Sequence, residues 1–284
     1  MAKRSFNVFL NKKISSFNKI INVDPDKSIS IRSILIGSIS QNISTAKNVL
    51  ESLDVKSAIS SCKKLGVKIN KINHGHYKIY GKGLGSLFIK KNSILNFGNS
   101  GTLARLLIGI LATTPDIKVK LKGDHSLNKR SMKKLIYLMN SFGANFLPKN
   151  KFTFPLKMVS SKFPIGIKYI AGVSAQLKSA VILAGLNSFG KTEIIENEKS
   201  RDHTENILIN NKQVIKIKEK KNKTIEIFGK EQLKPIFIDV PGDPSSAAFF
   251  VSLTLLCKDS KIKIKNVGMN PTRMGFYKIL NYIF

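Results

Sequence analysis

Three stretches of the chain space their apolar residues as amphipathic helices do. In the first, Val55, Ala58, Ile59, Cys62 and Leu65 follow the i, i+3, i+4, i+7 rule, and Gly66 predicts a left-handed cap. The second begins near Ser131, with Met132, Leu135, Ile136 and Met139 on one face and Gly143 as its stop. The third begins near Thr204, with Ile207 and Leu208 inward and Asn211, which tolerates the left-handed conformation, near its end. An alternating strand segment follows each helix, at residues 67–69, 144–147 and 214–217. The first and third continue into another strand ending in glycine, at 77–81 and 224–229. The recurrence predicts a threefold internal repeat of about 70 residues per copy. Residues 102–112 and 175–184 are apolar nearly all round, as helices inside a layered α/β core should be. After a break at Val240-Pro241-Gly242 come another buried apolar helix, 245–256, and an ordinary helix, 271–283, at which the chain stops abruptly.

The charge at first suggests a different reading. The 284 residues carry a formal charge of +31, yet 42% are hydrophobic, too many for a disordered polycation. No apolar run approaches the roughly 18–20 residues of a membrane helix, and the amino terminus lacks the apolar core of a secretory signal. Cys62 and Cys257 have no CxxC spacing, so neither a disulfide framework nor a zinc site is expected. His74-Gly75-His76 reads as two exposed histidines on one strand face rather than a metal pair. The expectation is a soluble, cytoplasmic globular protein.

Lys, Ile and Asn together make 103 of the 284 residues, the signature of a coding bias towards AT-rich codons. The lysines are dispersed, and their densest run, 216–223, reads as a solvated hairpin tip. Trp is absent and aromatics are scarce, so the stacking and base-reading pattern of a nucleic-acid surface is missing. Against 42 Lys, the six arginines are informative: Arg4, Arg32, Arg105, Arg130, Arg201 and Arg273. Guanidinium matches carboxylate and phosphate with two prongs, and ammonium does not.

Five of the six sit in short Gly-, Ser-, Thr-, Asp- and Pro-rich segments. Residues 26–32 offer Lys27, Ser28 and Arg32, with Ser28 and Arg32 one turn apart in a helix, although a Ser-capped helix with two exposed bases would look the same. Residues 98–105 form a Gly-rich loop, Asn99, Gly101 and Thr102 leading to Arg105, at the start of a buried helix. Free N–H groups there suit an anion, though the spacing is not that of a Walker A loop and a structural turn fits as well. Arg130 stands at a loop-to-helix junction. Ser174, Ala175 and Gln176 open another buried helix, Ser200 and Arg201 precede the third amphipathic helix, and Asp243 lies in a final Pro-Gly-Asp turn. Asp202, Glu205 or Ser200 could equally serve as helix caps.

Taken in order, Lys27 to Arg32, GNSGTxxR, GDxSLxxR, SAQxKSA, SRDHTE and PGDxSSAAF resemble the 5-enolpyruvylshikimate-3-phosphate synthase (3-phosphoshikimate 1-carboxyvinyltransferase) family from about Asp26 to Phe284. The resemblance implies an α/β fold: an enolpyruvyl transferase-like domain of three βαβαββ repeats, plus an incomplete second domain. Residues 23–239 would be the complete domain, and 1–22 and 240–284 pieces of the other. It implies enolpyruvyl transfer from phosphoenolpyruvate to the 5-hydroxyl of shikimate 3-phosphate, with release of phosphate, in the shikimate pathway to chorismate and the aromatic amino acids. No cofactor, metal, nucleic acid or membrane is implied, and family members are expected to be monomers.

By the same resemblance Lys27 would touch both substrates, and Ser28 and Arg32 would hold shikimate 3-phosphate. Gly101 and Arg130 would hold phosphoenolpyruvate, and glyphosate sensitivity is the default expectation. Ser174, Gln176 and Ser200 would position shikimate phosphate, with Ala175 matching one branch of the family. Asn99, Thr102, Arg105, Arg201 and Asp243 would be supporting residues. The family's usual Pro-Gly is replaced by Asp24-Pro25, and its frequent His by Ile31. The proton-transfer Asp and Glu are expected beyond Phe284, so the chain alone is expected to bind shikimate 3-phosphate but to catalyse poorly. The enolpyruvyl transferase of peptidoglycan synthesis, which uses a loop Cys, fits neither Cys62 nor Cys257. The other readings are an inactive anion-binding fragment and a nucleic-acid binder.

Overall fold

The computed structural model describes residues 14–219 and 222–283. Arg4, the first residues of the 1–22 segment, and Lys220 and Lys221 of the lysine run lie outside the described residues. The elements in chain order begin with β1 (Asn18–Asn22), α1 (Lys27–Ile39), β2 (Ile43–Lys47), α2 (Leu53–Lys64), β3 (Lys68–Asn73) and β4 (His76–Tyr80). Then come β5 (Ile94–Asn96), α3 (Gly101–Thr113), β6 (Lys118–Lys122), α4 (His125–Lys129), α5 (Lys133–Ser141), β7 (Asn145–Leu147) and β8 (Leu156–Val159). They continue with β9 (Lys168–Ala171), α6 (Ala175–Gly185), β10 (Lys191–Glu196), α7 (His203–Leu208), β11 (Ile215–Glu219), β12 (Lys223–Phe228) and β13 (Phe237–Asp239). The last are α8 (Pro244–Leu256), β14 (Lys261–Lys265), a 3₁₀ turn at Pro271–Arg273 and α9 (Gly275–Ile283).

These elements divide into two units, Pro25–Pro241 and Met1–Asp24 with Gly242–Phe284. The larger unit holds three four-stranded sheets of one topology, β13-β2-β4-β3, β5-β6-β8-β7 and β9-β10-β12-β11. In each, the first pair is parallel and the other two are antiparallel. Two sheets read straight along the chain, one as βαβαββ and one as the same order with the short α4 added before α5. The third takes its first strand, β13, from the end of the unit, in register Phe237↔Thr45 with β2.

The repeat extends to single hydrogen bonds. Gly81 N–H donates to Asn42 O and Lys82 N–H to Ser38 O; the counterparts are Ser160 to Ile117 with Ser161 to Ala112, and Gly229 to Gly190 with Lys230 to Leu186. Gly81 and Gly229 pass so close to the backbone just after α1 and α6 that an added Cβ would fall 2.1 Å from Ser40 O and 1.8 Å from Ser188 O respectively.

Helices α1, α3 and α6 are buried almost all round and form the centre of the unit. Gly109 lets α3 approach α6 closely, since a Cβ there would stand 2.5 Å from Ala180 O. Helix α1 is the one that apolar periodicity does not reveal, because Ser30, Ser33 and Ser38 interrupt it. Each of these hydroxyls donates to a carbonyl one turn back, Asp26 O, Ser30 O and Ile34 O, so the polar positions can be buried. Its cap is Asp26, whose Oδ1 accepts from Ile29 N–H, and not a serine.

The amphipathic helices α2, α5 and α7 occupy the predicted places, and Gly66 and Gly143 take positive φ of 87° and 91°. Asn211 does not. The third repeat closes instead by Asn211 Oδ1 accepting from Lys234 N–H. Lys216, Lys218 and Lys223 of the lysine run lie on the paired strands β11 and β12, while His74 lies in the turn before β4 and not on a strand. Among the described residues no group of three or more His, Cys, Asp or Glu could hold a metal ion. Among them, too, no helix is long and apolar enough to cross a membrane.

In the smaller unit β1 pairs in parallel with β14. Its helix α8 is apolar as read, but it is not buried: Phe249 is 79% and Leu256 85% exposed. The helix expected over 271–283 is two pieces, broken at Met274.

Candidate functional site

The amino termini of α1, α3 and α6 lie side by side, and side chains of their first two turns bond α1 to α6 and α3 to α6. On α6, Gln176 accepts from Arg105 Nη1 (2.9 Å) and donates to Thr102 Oγ1 (3.0 Å), both on α3. Also on α6, Ser179 accepts from Arg32 Nη2 of α1 at 3.0 Å. Ser100 and Ser174 cap α3 and α6 by accepting from Leu103 N–H and Leu177 N–H. Three helix dipoles thus present their positive ends together, each equivalent to roughly half a charge.

Arginines are brought to the same end. Arg32 is 3% exposed, which sets aside the alternative reading of residues 26–32 as a capped helix with two exposed bases. Its Nε donates to Thr204 Oγ1 at 2.8 Å and its Nη1 to Ser28 O at 3.0 Å. Burial lowers its pKa to about 10, although the carboxylates of Glu205 and Asp26 favour its charge and Arg201 opposes it. Arg105, half-buried, also has a lowered pKa, first through burial and then through the charge of Arg130. Arg130 is held from the other side by Asn99 Oδ1 at 2.8 Å and Ser126 Oγ at 3.3 Å. A Cβ on Gly101 would lie 2.8 Å from Arg105 Nη1 and 3.4 Å from Arg130 Nη1, so the glycine leaves the two guanidinium groups room beside the helix start. Among the described residues no carboxylate makes an ion pair with Arg32, Arg105 or Arg130.

The remaining sequence candidates divide clearly. Lys27 is exposed at the start of α1, paired with Asp54 at 3.0 Å. Ser28 and Ala175 occupy first turns, and Ser200 is buried with its N–H and Oγ each 2.8 Å from Glu196 Oε1. Ser200 therefore does not cap α7, and Glu205 is occupied by Lys178 at 2.7 Å. Arg201 is exposed between them. Asp243 belongs to the other unit, where it caps α8 through Ser245 N–H and pairs with Arg273 at 2.8 Å.

Motif reasoning did not find Asp54 and Glu196, and it gave no role to Lys178, Ser179 and Thr204 although they lie inside SAQxKSA and SRDHTE. Only Lys178, a lone cation inside an apolar helix, carried a signal. A hollow of about 650 Å³ borders Asn99 and Gly98, but Asp54 and Asp124 also line it, so it is less suited to an anion than the arginine end.

The threefold α/β repeat gathers, at one end, helix amino termini and guanidinium groups without a carboxylate ion pair among the described residues, an arrangement whose chemistry suits an anion. The EPSP synthase (3-phosphoshikimate 1-carboxyvinyltransferase) family matches residues 11–284, and the chain belongs to that family. It is 39% identical over 264 residues to a 3-phosphoshikimate 1-carboxyvinyltransferase of Novosphingobium aromaticivorans, covering 92% of this chain and 59% of that protein. It is 40% identical over 271 residues to the enzyme of the same name from Bacillus velezensis, covering 95% and 62%. A solved EPSP synthase from Acinetobacter baumannii superposes with a TM-score of 0.83 at 34% identity, over 94% of this chain and 59% of that one. The chain thus spans about three fifths of the length of these relatives.

Proposed function

We propose that the chain takes part in enolpyruvyl transfer from phosphoenolpyruvate to shikimate 3-phosphate, the reaction of the shikimate pathway named for its relatives. In this reading Pro25–Pro241 is the domain that holds the phosphorylated shikimate, and the other unit is part of a second domain. The chain acts as a cytoplasmic monomer, without cofactor, nucleic acid or membrane.

The observation that carries the reading is that Arg32 of α1, Arg105 of α3 and Arg130, which ends α4 beside Arg105, stand near the starts of α1, α3 and α6 with no carboxylate ion-paired to any of them among the described residues. Such a cluster is costly without an anion and favourable with one. Arg32, Ser28, Ser174 and Ser200 would hold shikimate 3-phosphate. Arg130 and Gly101, supported by Arg105, Thr102 and Asn99, would receive phosphoenolpyruvate. Gln176, bonded to both Arg105 and Thr102, fits a place next to both ligands, and Lys27 would reach each of them. In the reaction the 5-hydroxyl oxygen bonds to C2 of phosphoenolpyruvate while its proton is taken up and the methylene carbon is protonated. Phosphate then leaves as a proton returns from the methyl group, restoring the double bond. The part assigned to this domain is holding and orienting the anions. No observation specifically favours an anion-binding fragment without catalysis.

Calorimetric titration of the purified chain tests the reading. Shikimate 3-phosphate should bind at least about tenfold more tightly than shikimate, a preference of about 1.4 kcal/mol from the phosphate contacts. Equal affinity for the two, or no binding of either, would refute it.

A further inference from the structure

Lys178 is a fully buried ammonium in α6, where it is the only charged residue. It lies 2.6 Å from Glu196 Oε1 and 2.7 Å from Glu205 Oε1, and both carboxylates are 1% exposed or less. Bringing three ionised groups out of water is a poor way to stabilise helix packing, since apolar side chains of similar volume commonly do as well or better. What the cluster supplies is connection. Glu196 ends β10 and its Oε1 accepts from both N–H and Oγ of Ser200. Glu205 follows Thr204 on α7, and Thr204 and Ser179 share a 2.7 Å hydrogen bond and both accept from Arg32. One ammonium therefore ties α6, capped by Ser174, to the end of β10 that holds Ser200 and to α7, whose Thr204 contacts Arg32.

We propose that Lys178 is a positioning residue for the phosphate end of the site, acting through Glu196 on Ser200. The proposal rests on the functional reading above. The Ser200 hydroxyl has a single proton, which in the structure points to Glu196. To bind a phosphate oxygen it must turn that proton outward. Glu196 then stays satisfied only because Lys178 Nζ and Ser200 N–H still donate to the same oxygen. Burial alone would raise the pKa of Glu196, but the hydrogen bonds from Lys178 and Ser200 outweigh it and hold the group below the ordinary carboxylate value. Without Lys178, the nearest ion-pair cation is Lys223, 3.8 Å from the other oxygen, Oε2. Rotation of the carboxylate towards Lys223 would release Ser200.

The test compares wild type with Lys178→Met and with the charge-balanced Lys178→Met/Glu205→Gln, each also in a Ser200→Ala background. Two quantities are read: hydrogen exchange at the Ser200 amide without ligand, and affinity for shikimate 3-phosphate and shikimate. In the folded variants exchange should be at least tenfold faster and shikimate 3-phosphate at least tenfold weaker, with shikimate changed less than twofold. In the Ser200→Ala background the same changes should cost less than twofold.

Unchanged shikimate 3-phosphate affinity, equal loss for both ligands, or full loss in the Ser200→Ala background would overturn the proposal. If Lys178→Met alone does not fold, the balanced variant decides. Failure of both to fold would assign the cluster to stability and overturn the proposal as well. Failure of wild type to prefer shikimate 3-phosphate would overturn the functional reading itself, which distinguishes the two failures.

Discussion

Replacing Arg32 with Met should lower affinity for shikimate 3-phosphate at least about 100-fold, a loss of about 2.7 kcal/mol. The expectation follows from where the guanidinium sits. It is 3% exposed, and its bonds to Ser28, Ser179 and Thr204 hold it rigidly before any ligand arrives. The cost of immobilising it is therefore met in folding and not in binding. Met fills much of the same volume, so the domain should remain folded. Arg32→Lys should not restore binding, because an ammonium cannot reach three partners lying on different sides of a planar fork. Calorimetry against the phosphorylated ligand, alongside thermal melting of each variant, separates a binding loss from an unfolding loss. A tenfold effect or less would mean that the buried arginine is structural.

A methyl group at Gly229 should produce the largest stability effect. The added carbon would fall 2.8 Å from Gly185 O, at the end of α6, and 1.8 Å from Ser188 O, three residues beyond it, both backbone atoms. Neither can move without opening the contact between helix and hairpin that closes the third repeat. A cost of at least about 3 kcal/mol is expected for such overpacking. In a unit of this size that lowers the melting temperature by roughly 6–12 °C. Gly81→Ala should behave alike, since its carbon would meet Ser40 O at 2.1 Å in the first repeat. Gly172→Ala is the control, having no atom within 4 Å of the new carbon. Equal melting of the Gly229 and Gly172 variants would show that the close approach is not a determinant of the repeat.

Much of this arrangement is legible in the sequence where burial is one-sided. Helices α2 and α5 keep apolar residues on one face and end in glycines that take positive φ, so both their spacing and their stops are readable. The outer strands alternate for the same reason. Buried helices are harder. Helices α3 and α6 show as apolar runs, but α1 hides behind serines that satisfy themselves on its own carbonyls.

Rare arginines pointed to the end where the starts of α1, α3 and α6 meet, because Arg32, Arg105 and Arg130 stand out against 42 lysines. The sequence did not reveal that Arg32 is buried rather than exposed, since its partners Ser179 and Thr204 are 147 and 172 residues away. The link from Lys178 to Glu196 and Glu205 was hidden likewise, its members lying on three different elements. Helix α8 shows the reverse limit, for an apolar sequence does not say whether a face is covered. The domain reading drawn from the resemblance, 1–22, 23–239 and 240–284, stands as a proposal beside the division at Asp24/Pro25 and Pro241/Gly242.

The overall charge of +31 is the rival explanation for any affinity towards anions, and lysine-lined surface is available to support it. A hollow of about 770 Å³ beside β5 and β6, for example, is lined by Lys91, Lys118, Lys120 and Lys157. Hydrogen-exchange footprinting of the chain saturated with shikimate 3-phosphate distinguishes the two directly. Protection should concentrate in residues 26–32, 174–179 and 200–204, where helix starts and Arg32 converge, and leave residues 91–94 and 116–120 unchanged. Protection centred on the lysine-lined hollow, or spread evenly over the lysine-rich surface, would contradict the account.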